Sequence, residues 1–117
     1  MTEVPSRAPT GDELLKVLTA LANPHRMRIV AALMDGGRNY VSRLAREIGM
    51  GRPLLHMHLQ RLEAAGLVSG TLELSEEGRA MKFFEVTPFC YALTPHTVRA
   101  AAHTLTEETK VMEETTG

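Results

Sequence analysis

The stretch between Tyr40 and Val86 constrains the fold most. From roughly Tyr40 to Ile48, the apolar residues Val41, Leu44, Ala45 and Ile48 recur at helical spacing, Arg43, Arg46 and Glu47 lie opposite them, and Gly49 ends the run. After a Met50-Gly51 turn, Pro53 stands near the start of a second helix whose inward stripe is Leu55, His58 or Leu59, Leu62 and Ala65, closing at Gly66. Two short amphipathic helices around a tight glycine turn predict a helix-turn-helix. The apolar period then changes from about 3.6 to 2. Leu67-Val68 leads into Thr71-Leu72-Glu73-Leu74, and Met81-Lys82-Phe83-Phe84-Glu85-Val86 follows the polar turn Ser75-Glu76-Glu77-Gly78. This predicts a β-hairpin beside the second helix, a two-stranded wing.

Upstream, Thr10-Gly11-Asp12-Glu13 has the Thr and Glu spacing of a capping box and opens a helix carrying Leu14, Leu15, Val17, Leu18 and Leu21. Asn23-Pro24 opens another, with Met27, Ile29, Val30, Leu33 and Met34 at helical spacing before Gly36-Gly37. Thr94-Pro95 repeats that signal for a last helix with Val98, Ala101, Ala102, Leu105 and Met112 along one side. The expected architecture is mainly α with a small β-hairpin: about five helices plus a two-stranded wing, a winged helix-turn-helix. Residues 1–9 read as a flexible arm, 10–106 as the domain with its terminal helices, and 107–117 as an acidic tail.

At 117 residues, 44% apolar but only 4% aromatic and without Trp, the chain makes one small domain whose core is aliphatic. A single cysteine, Cys90, excludes an intramolecular disulfide framework. In Phe89-Cys90-Tyr91 it is expected to be a buried structural thiol. No window approaches the ~18 apolar residues of a membrane span, and the N-terminus lacks a basic region followed by an apolar stretch. A cytoplasmic protein is expected.

A net charge of −1 hides an asymmetry. From His25 to Arg61 seven arginines (Arg26, Arg28, Arg38, Arg43, Arg46, Arg52 and Arg61) face only Asp35 and Glu47, a formal +5. Such a basic middle suits phosphates, and a solvated surface is the plainer alternative. One helix of a helix-turn-helix can lie in a major groove about 12 Å wide. From Arg52 the outward stripe at i, i+4 and i+8 is Arg52, His56 and Gln60, with Leu54, Met57 and Arg61 beside it. Arg52 and Gln60 can donate to base edges or phosphates, His56 can do either, and Leu54 or Met57 can touch a thymine methyl. Arg26, Arg28, Arg43 and Arg46 are candidate phosphate contacts. Arg79 and Lys82 of the wing could also reach phosphates, which Glu76 and Glu77 at its tip would repel.

Two segments resemble the ArsR/SmtB family of winged helix-turn-helix transcriptional regulators. The first is Ala20-Leu21-Ala22-Asn23-Pro24-His25-Arg26-Met27-Arg28-Ile29-Val30. The second is Gly49-Met50-Gly51-Arg52-Pro53-Leu54-Leu55-His56-Met57-His58-Leu59, followed by Leu62 and Ala65-Gly66-Leu67-Val68. The resemblance spans roughly residues 12 to 105. It implies a repressor-like homodimer on double-stranded DNA with two related half-sites roughly 34–36 Å apart. It also implies a dimer interface from the first and last helices, through Leu14, Leu18, Leu21, Val98, Ala101, Ala102 and Leu105. Gly51, Leu54, His56 and Met57 depart from the small polar or basic residues frequent in the family's recognition helix, so base preference does not carry over. His58 falls on the family's common histidine, and its spacing from Leu55 and Leu62 puts it toward the core.

Family members often sense metals. His56 and His58, two apart, point about 200° apart on a helix and cannot chelate one ion together. His96, His103 and Glu107 on the last helix are the candidate set, for Ni or Zn across two antiparallel copies, against the plainer reading of an ordinary surface. The family's usual spacings there are absent, and so is its thiolate motif, since Tyr40-Val41-Ser42-Arg43-Leu44 stands in helix three. No enzyme motif occurs: no phosphate-binding Gly loop, no His-Glu-x-x-His, and no nucleophile set near a His and carboxylate pair. The alternative to a DNA-binding regulator is a winged-helix interaction module that has lost DNA binding or needs a partner regulator.

Overall fold

The computed structural model describes residues 8–106. Thus residues 1–7 of the expected arm, the whole expected tail, and with it Glu107 and Met112, lie outside the described residues. Helix α1 spans Gly11–Leu21 and α2 spans Pro24–Gly36. The two-residue strand β1 (Asn39–Tyr40) leads into α3 (Val41–Ile48), which is followed by α4 (Arg52–Ala64), β2 (Val68–Leu74), β3 (Ala80–Val86) and α5 (Pro95–Ala102).

The predicted caps set the helix starts. Thr10 Oγ1 accepts from Glu13 N at 3.1 Å, and Asn23 Oδ1 accepts from His25 N at 2.8 Å and Arg26 N at 3.2 Å. Thr94 and Thr97 form a reciprocal capping box at α5. Gly49 closes α3 at φ 68°, a left-handed conformation that glycine adopts without steric cost. Met50 N then donates back to Ala45 O at 3.0 Å, and the chain turns into α4. That turn makes α3 and α4 the helix-turn-helix.

One core holds the elements together. Val17 and Ala20 of α1, Ile29 and Leu33 of α2, Leu44 and Ala45 of α3, Leu55, Leu59 and Leu62 of α4, Leu67, Val68 and Phe84 form a single buried cluster. The α2 stripe is narrower than its apolar spacing suggests, because Ile29, Leu33 and half-buried Val30 suffice to cover the core. Met27 and Met34 are exposed.

The wing differs from expectation by one strand. Beyond the hairpin, whose register runs from Val68↔Val86 to Leu74↔Ala80, β3 pairs on its other edge with β1 through Asn39↔Phe84 and Tyr40↔Phe83. The sheet is three-stranded and antiparallel, in the order β1-β3-β2. Two residues are too short to show a period of 2 in sequence, and Asn is disfavoured in strands. Tyr40 therefore belongs to β1 and caps α3, its ring meeting Phe83 edge-on at 5.5 Å.

Cys90 is exposed, not buried. Its apolar neighbours suggested otherwise, but after β3 the chain is irregular and only Phe89 packs against the core. Tyr91 meets Phe89 at 6.3 Å, and Cys90 lies between them facing solvent.

Candidate nucleic-acid interface

Leu55, His58, Leu59 and Leu62 turn one face of α4 into the core, which leaves the rest of the helix to solvent. At about 100° per residue, Arg52, His56 and Gln60 fall along one flank of the exposed surface, and Glu63 shares it. Glu63 fixes where that flank points. Its Oε2 accepts from Gly70 N at 3.2 Å and its Oε1 from Lys82 Nζ at 3.4 Å, so the Arg52, His56 and Gln60 stripe runs on the wing side of α4. Exposed Met57 lies between the flanks, and Leu54 and Arg61, seven residues apart, share the other one. Arg61, nine residues from Arg52, is about half a turn away from it.

Among the described residues no side chain caps the N-terminus of α4, where Gly51 is the N-cap and Arg52 the first residue. That end borders a cleft of about 300 Å³ lined by His25 and Arg28 of α2 with Met50, Gly51 and Leu54. An uncapped helix N-terminus flanked by Arg28 and Arg52 suits a phosphate, because the free backbone N–H groups, those of Arg52 and Leu54 here, and the helix dipole both favour negative charge. His25 was missed in the sequence. Its only signal there was its place next to Pro24, and which face of α2 approaches α4 becomes visible only in the fold.

The other arginines divide by what holds them. Among the described residues Arg28, Arg46, Arg52, Arg61 and Arg79 make no ion pair and are exposed. Arg43 Nε pairs with Glu47 at 3.2 Å on the α3 surface. Arg38 pairs with Glu73 of the wing and lies over the Phe83 ring, 4.3 Å from its centroid. Lys82 is taken by Glu63 and sits over Phe84. Arg26 is half-buried; its Nε donates to His58 Nδ1 at 3.1 Å, and its Nη1 to the carbonyls of Thr19 and Ala20 at 3.4 Å.

His58 is 3% exposed and lies on the core side, as its spacing predicted. Burial, then the Arg26 guanidinium, then His25 push its pKa below the ordinary 6.5.

The residues expected at an interface between copies separate in the same way. Leu14 and Ala101 are buried within the chain, where α1 and α5 pack together; Leu21 and Leu105 are half-buried; Leu18, Val98 and Ala102 are exposed, as are Leu15 and Leu93. Of the metal set, Glu107 lies outside the described residues. Helix α5 ends at Ala102, and Thr104 Oγ1 donates to Ala101 O at 2.8 Å in the turn that follows. His96 and His103 are exposed, and no group of three His, Cys, Asp or Glu among the described residues can hold an ion. No helix among them is long and apolar enough to cross a membrane.

Helices α3 and α4 around the Gly49 turn, with the sheet beside them, define a winged helix-turn-helix. A family model for a helix-turn-helix domain matches residues 21–71, from the end of α1 into β2. An HTH-type transcriptional regulator of Methanocaldococcus jannaschii is 35% identical over 77 residues, which are 66% of this chain and 79% of that protein. The chain belongs to the HTH-type transcriptional regulators. The regulator CmtR of Mycobacterium tuberculosis is 39% identical over 70 residues, 60% of this chain, and the match spans only 55% of CmtR's length. Two solved structures share the fold. A homodimeric winged helix-turn-helix DNA-binding domain from Mycobacterium bovis, described as a possible ArsR-family regulator, superposes with TM-score 0.55 at 23% identity, covering 88% of this chain and 80% of that one. A transcriptional regulator homologue from Pyrococcus horikoshii gives 0.53 at 21% identity, covering 88% and 96%.

Proposed function

We propose that this protein is an ArsR-type repressor that acts in the cytoplasm as a homodimer on a two-fold-related operator. The observation that carries the reading is the uncapped N-terminus of α4 set among Arg52, Arg28 and His25, on a helix whose exposed flank is Arg52, His56 and Gln60. In this reading α4 enters the major groove by that end. Arg28, Arg46 and Arg52 neutralise phosphates, Arg43 joins them by exchanging Glu47 for DNA, and Leu54 and Met57 meet the bases. The homodimeric M. bovis domain supports the two-fold assembly. The exposed Leu18 and Val98, with Leu15 and Ala102 beside them, supply apolar surface for it.

The test is fluorescence anisotropy on a labelled duplex from the DNA upstream of the protein's own gene, at several salt concentrations, with and without Ni²⁺ or Zn²⁺. Binding stronger than to a scrambled duplex is expected, with log affinity falling linearly in log salt by about 0.9 per phosphate neutralised. Arg52→Ala should weaken it by about tenfold or more. No preference for the upstream duplex, or affinity indifferent to salt and to Arg52, points instead to an interaction module. A change caused by the metal ions would point to His96 and His103 of two copies, with Glu107, as the ligands to mutate.

A further inference from the structure

We propose that Arg26 is a positioning residue: it fixes the pose of the recognition helix α4 on the frame of α1 and α2 by holding His58. This rests on the DNA-binding reading above and removes Arg26 from the phosphate contacts. Its guanidinium reaches three elements. It leaves the start of α2, takes up the Thr19 and Ala20 carbonyls at the C-terminal end of α1, and donates through Nε to Nδ1 of His58 in the middle of α4. The α1 carbonyls lie in its last turn, where Thr19 O also takes a long 3.3 Å bond from Ala22 N, and a cation suits that end of the dipole.

Hydrogen-bond logic sets the state of the imidazole. Arg Nε can only donate, so Nδ1 must present its lone pair, and the ring proton of neutral His58 sits on Nε2. That Nε2 is buried without a partner among the described residues. A leucine at 58 would pack without an orphaned N–H, so what the imidazole adds is the Nδ1 acceptor for Arg26. Protonation at Nδ1 replaces the acceptor with a donor that opposes Nε–H. The charged or titratable groups facing His58 are Arg26 and His25, the latter with ring centroids 5.8 Å apart. From α1 and α4, Asp12, Lys16 and Arg61 line a groove with Arg26. From α3 and β2 the core presents Leu44, Ala45 and Val68, none of which titrates.

The experiment measures DNA binding on the same duplex for wild type, Arg26→Ala, Arg26→Lys, His58→Asn, His58→Leu and Arg28→Ala. Arg26→Ala and Arg26→Lys should both weaken binding by about tenfold with the salt slope unchanged, since an ammonium cannot serve three acceptors in the guanidinium geometry. Arg28→Ala, the comparison for a phosphate contact, should lower the slope by about 0.9. His58→Asn keeps an acceptor near the Nδ1 position without titrating, so it should bind within about twofold of wild type at pH 7.5 and bind more tightly than wild type at pH 5.5, the other histidines of the surface being common to both. His58→Leu should behave as Arg26→Ala, and combining the two should cost little more than either alone. Wild-type affinity in Arg26→Lys, or a lower salt slope in Arg26→Ala, makes Arg26 a phosphate contact and overturns the proposal. So does a pH profile shared by wild type and His58→Asn, a comparison that stands even where Arg26→Ala fails to fold. Absence of wild-type DNA binding removes both readings, and the imidazole ¹⁵N shifts of His58 then report whether the Arg26 bond exists at all.

Discussion

His58 shows how one side chain ties folding to proton concentration. The folded protein holds its imidazole neutral, with a pKa below the 6.5 it recovers on unfolding. Between those two values the unfolded chain binds the proton and the folded chain does not, so unfolding takes up protons there and stability falls as pH falls. Above 6.5 both states are neutral and the group contributes no slope. Urea denaturation from pH 8 to 5 should therefore show a loss of stability setting in below about 6.5 that His58→Asn largely removes. Equal pH dependence in the two proteins would place the loss elsewhere. The sequence revealed the burial of His58, because Leu55 and Leu62 flank it at helical spacing. It did not reveal the Arg26 bond across 32 residues, since a helical stripe says which face is inward and not which neighbour it meets. Arg26 therefore read as one more cation of a basic segment, and only the packing of α1, α2 and α4 sets it apart from Arg28 two positions on.

At the scale of elements, the helices were legible because their signals are local: caps at Thr10, Asn23 and Thr94, the glycine at 49, and apolar stripes with one period each. What escaped were elements made by contact. β1 exists because β3 offers it an edge, and Asn39, 7% exposed, is stabilised there by donating through Nδ2 to Glu47 Oε2 at 3.0 Å. The last helix read as continuing past Leu105, but it stops at Ala102 because the following turn serves α1. Thr104 Oγ1 accepts from Gly11 N at 2.6 Å. At this junction α1 starts hard against α5: a methyl group on Gly11 would collide with the Ala101 carbonyl and come 2.6 Å from Leu105 Cδ2. Gly11→Ala is a favourable exchange by helix propensity alone, yet here it must push α5 away, and a loss of about 1–3 kcal/mol in urea denaturation is expected. A stabilised Gly11→Ala protein would mean that α5 does not pack on α1 this closely.

Over the whole molecule, charge is sorted by face. Four arginines without ion pairs among the described residues, Arg28, Arg46, Arg52 and Arg61, lie on α2, α3 and α4, with Lys16 on α1 and Arg99 on α5, whereas the wing carries Glu76, Glu77 and Glu85 against Arg79, its remaining charges Glu73 and Lys82 being engaged by Arg38 and Glu63. Leu72 and Leu74 add bare apolar surface to it, 70% and 76% exposed. In the proposed complex such a wing would be repelled by a phosphate backbone and would serve the interface by bracing α4, where Glu63 holds Gly70 and Lys82 at the meeting of helix and hairpin. Two consequences follow for binding. Arg79→Ala should leave the salt slope within error of wild type, whereas Arg28→Ala lowers it by about 0.9. Neutralising the tip with Glu76→Gln and Glu77→Gln together should raise affinity by about two- to threefold in low salt and lose that gain as the Debye length shrinks from about 10 Å at 0.1 M to about 3 Å at 1 M. A lower slope in Arg79→Ala would seat the wing on the backbone after all. In that case the charges at its tip would act as local discrimination between sites, because the carboxylates of Glu76 and Glu77 would have to lie beside phosphates in every bound complex and would weaken all but the best of them.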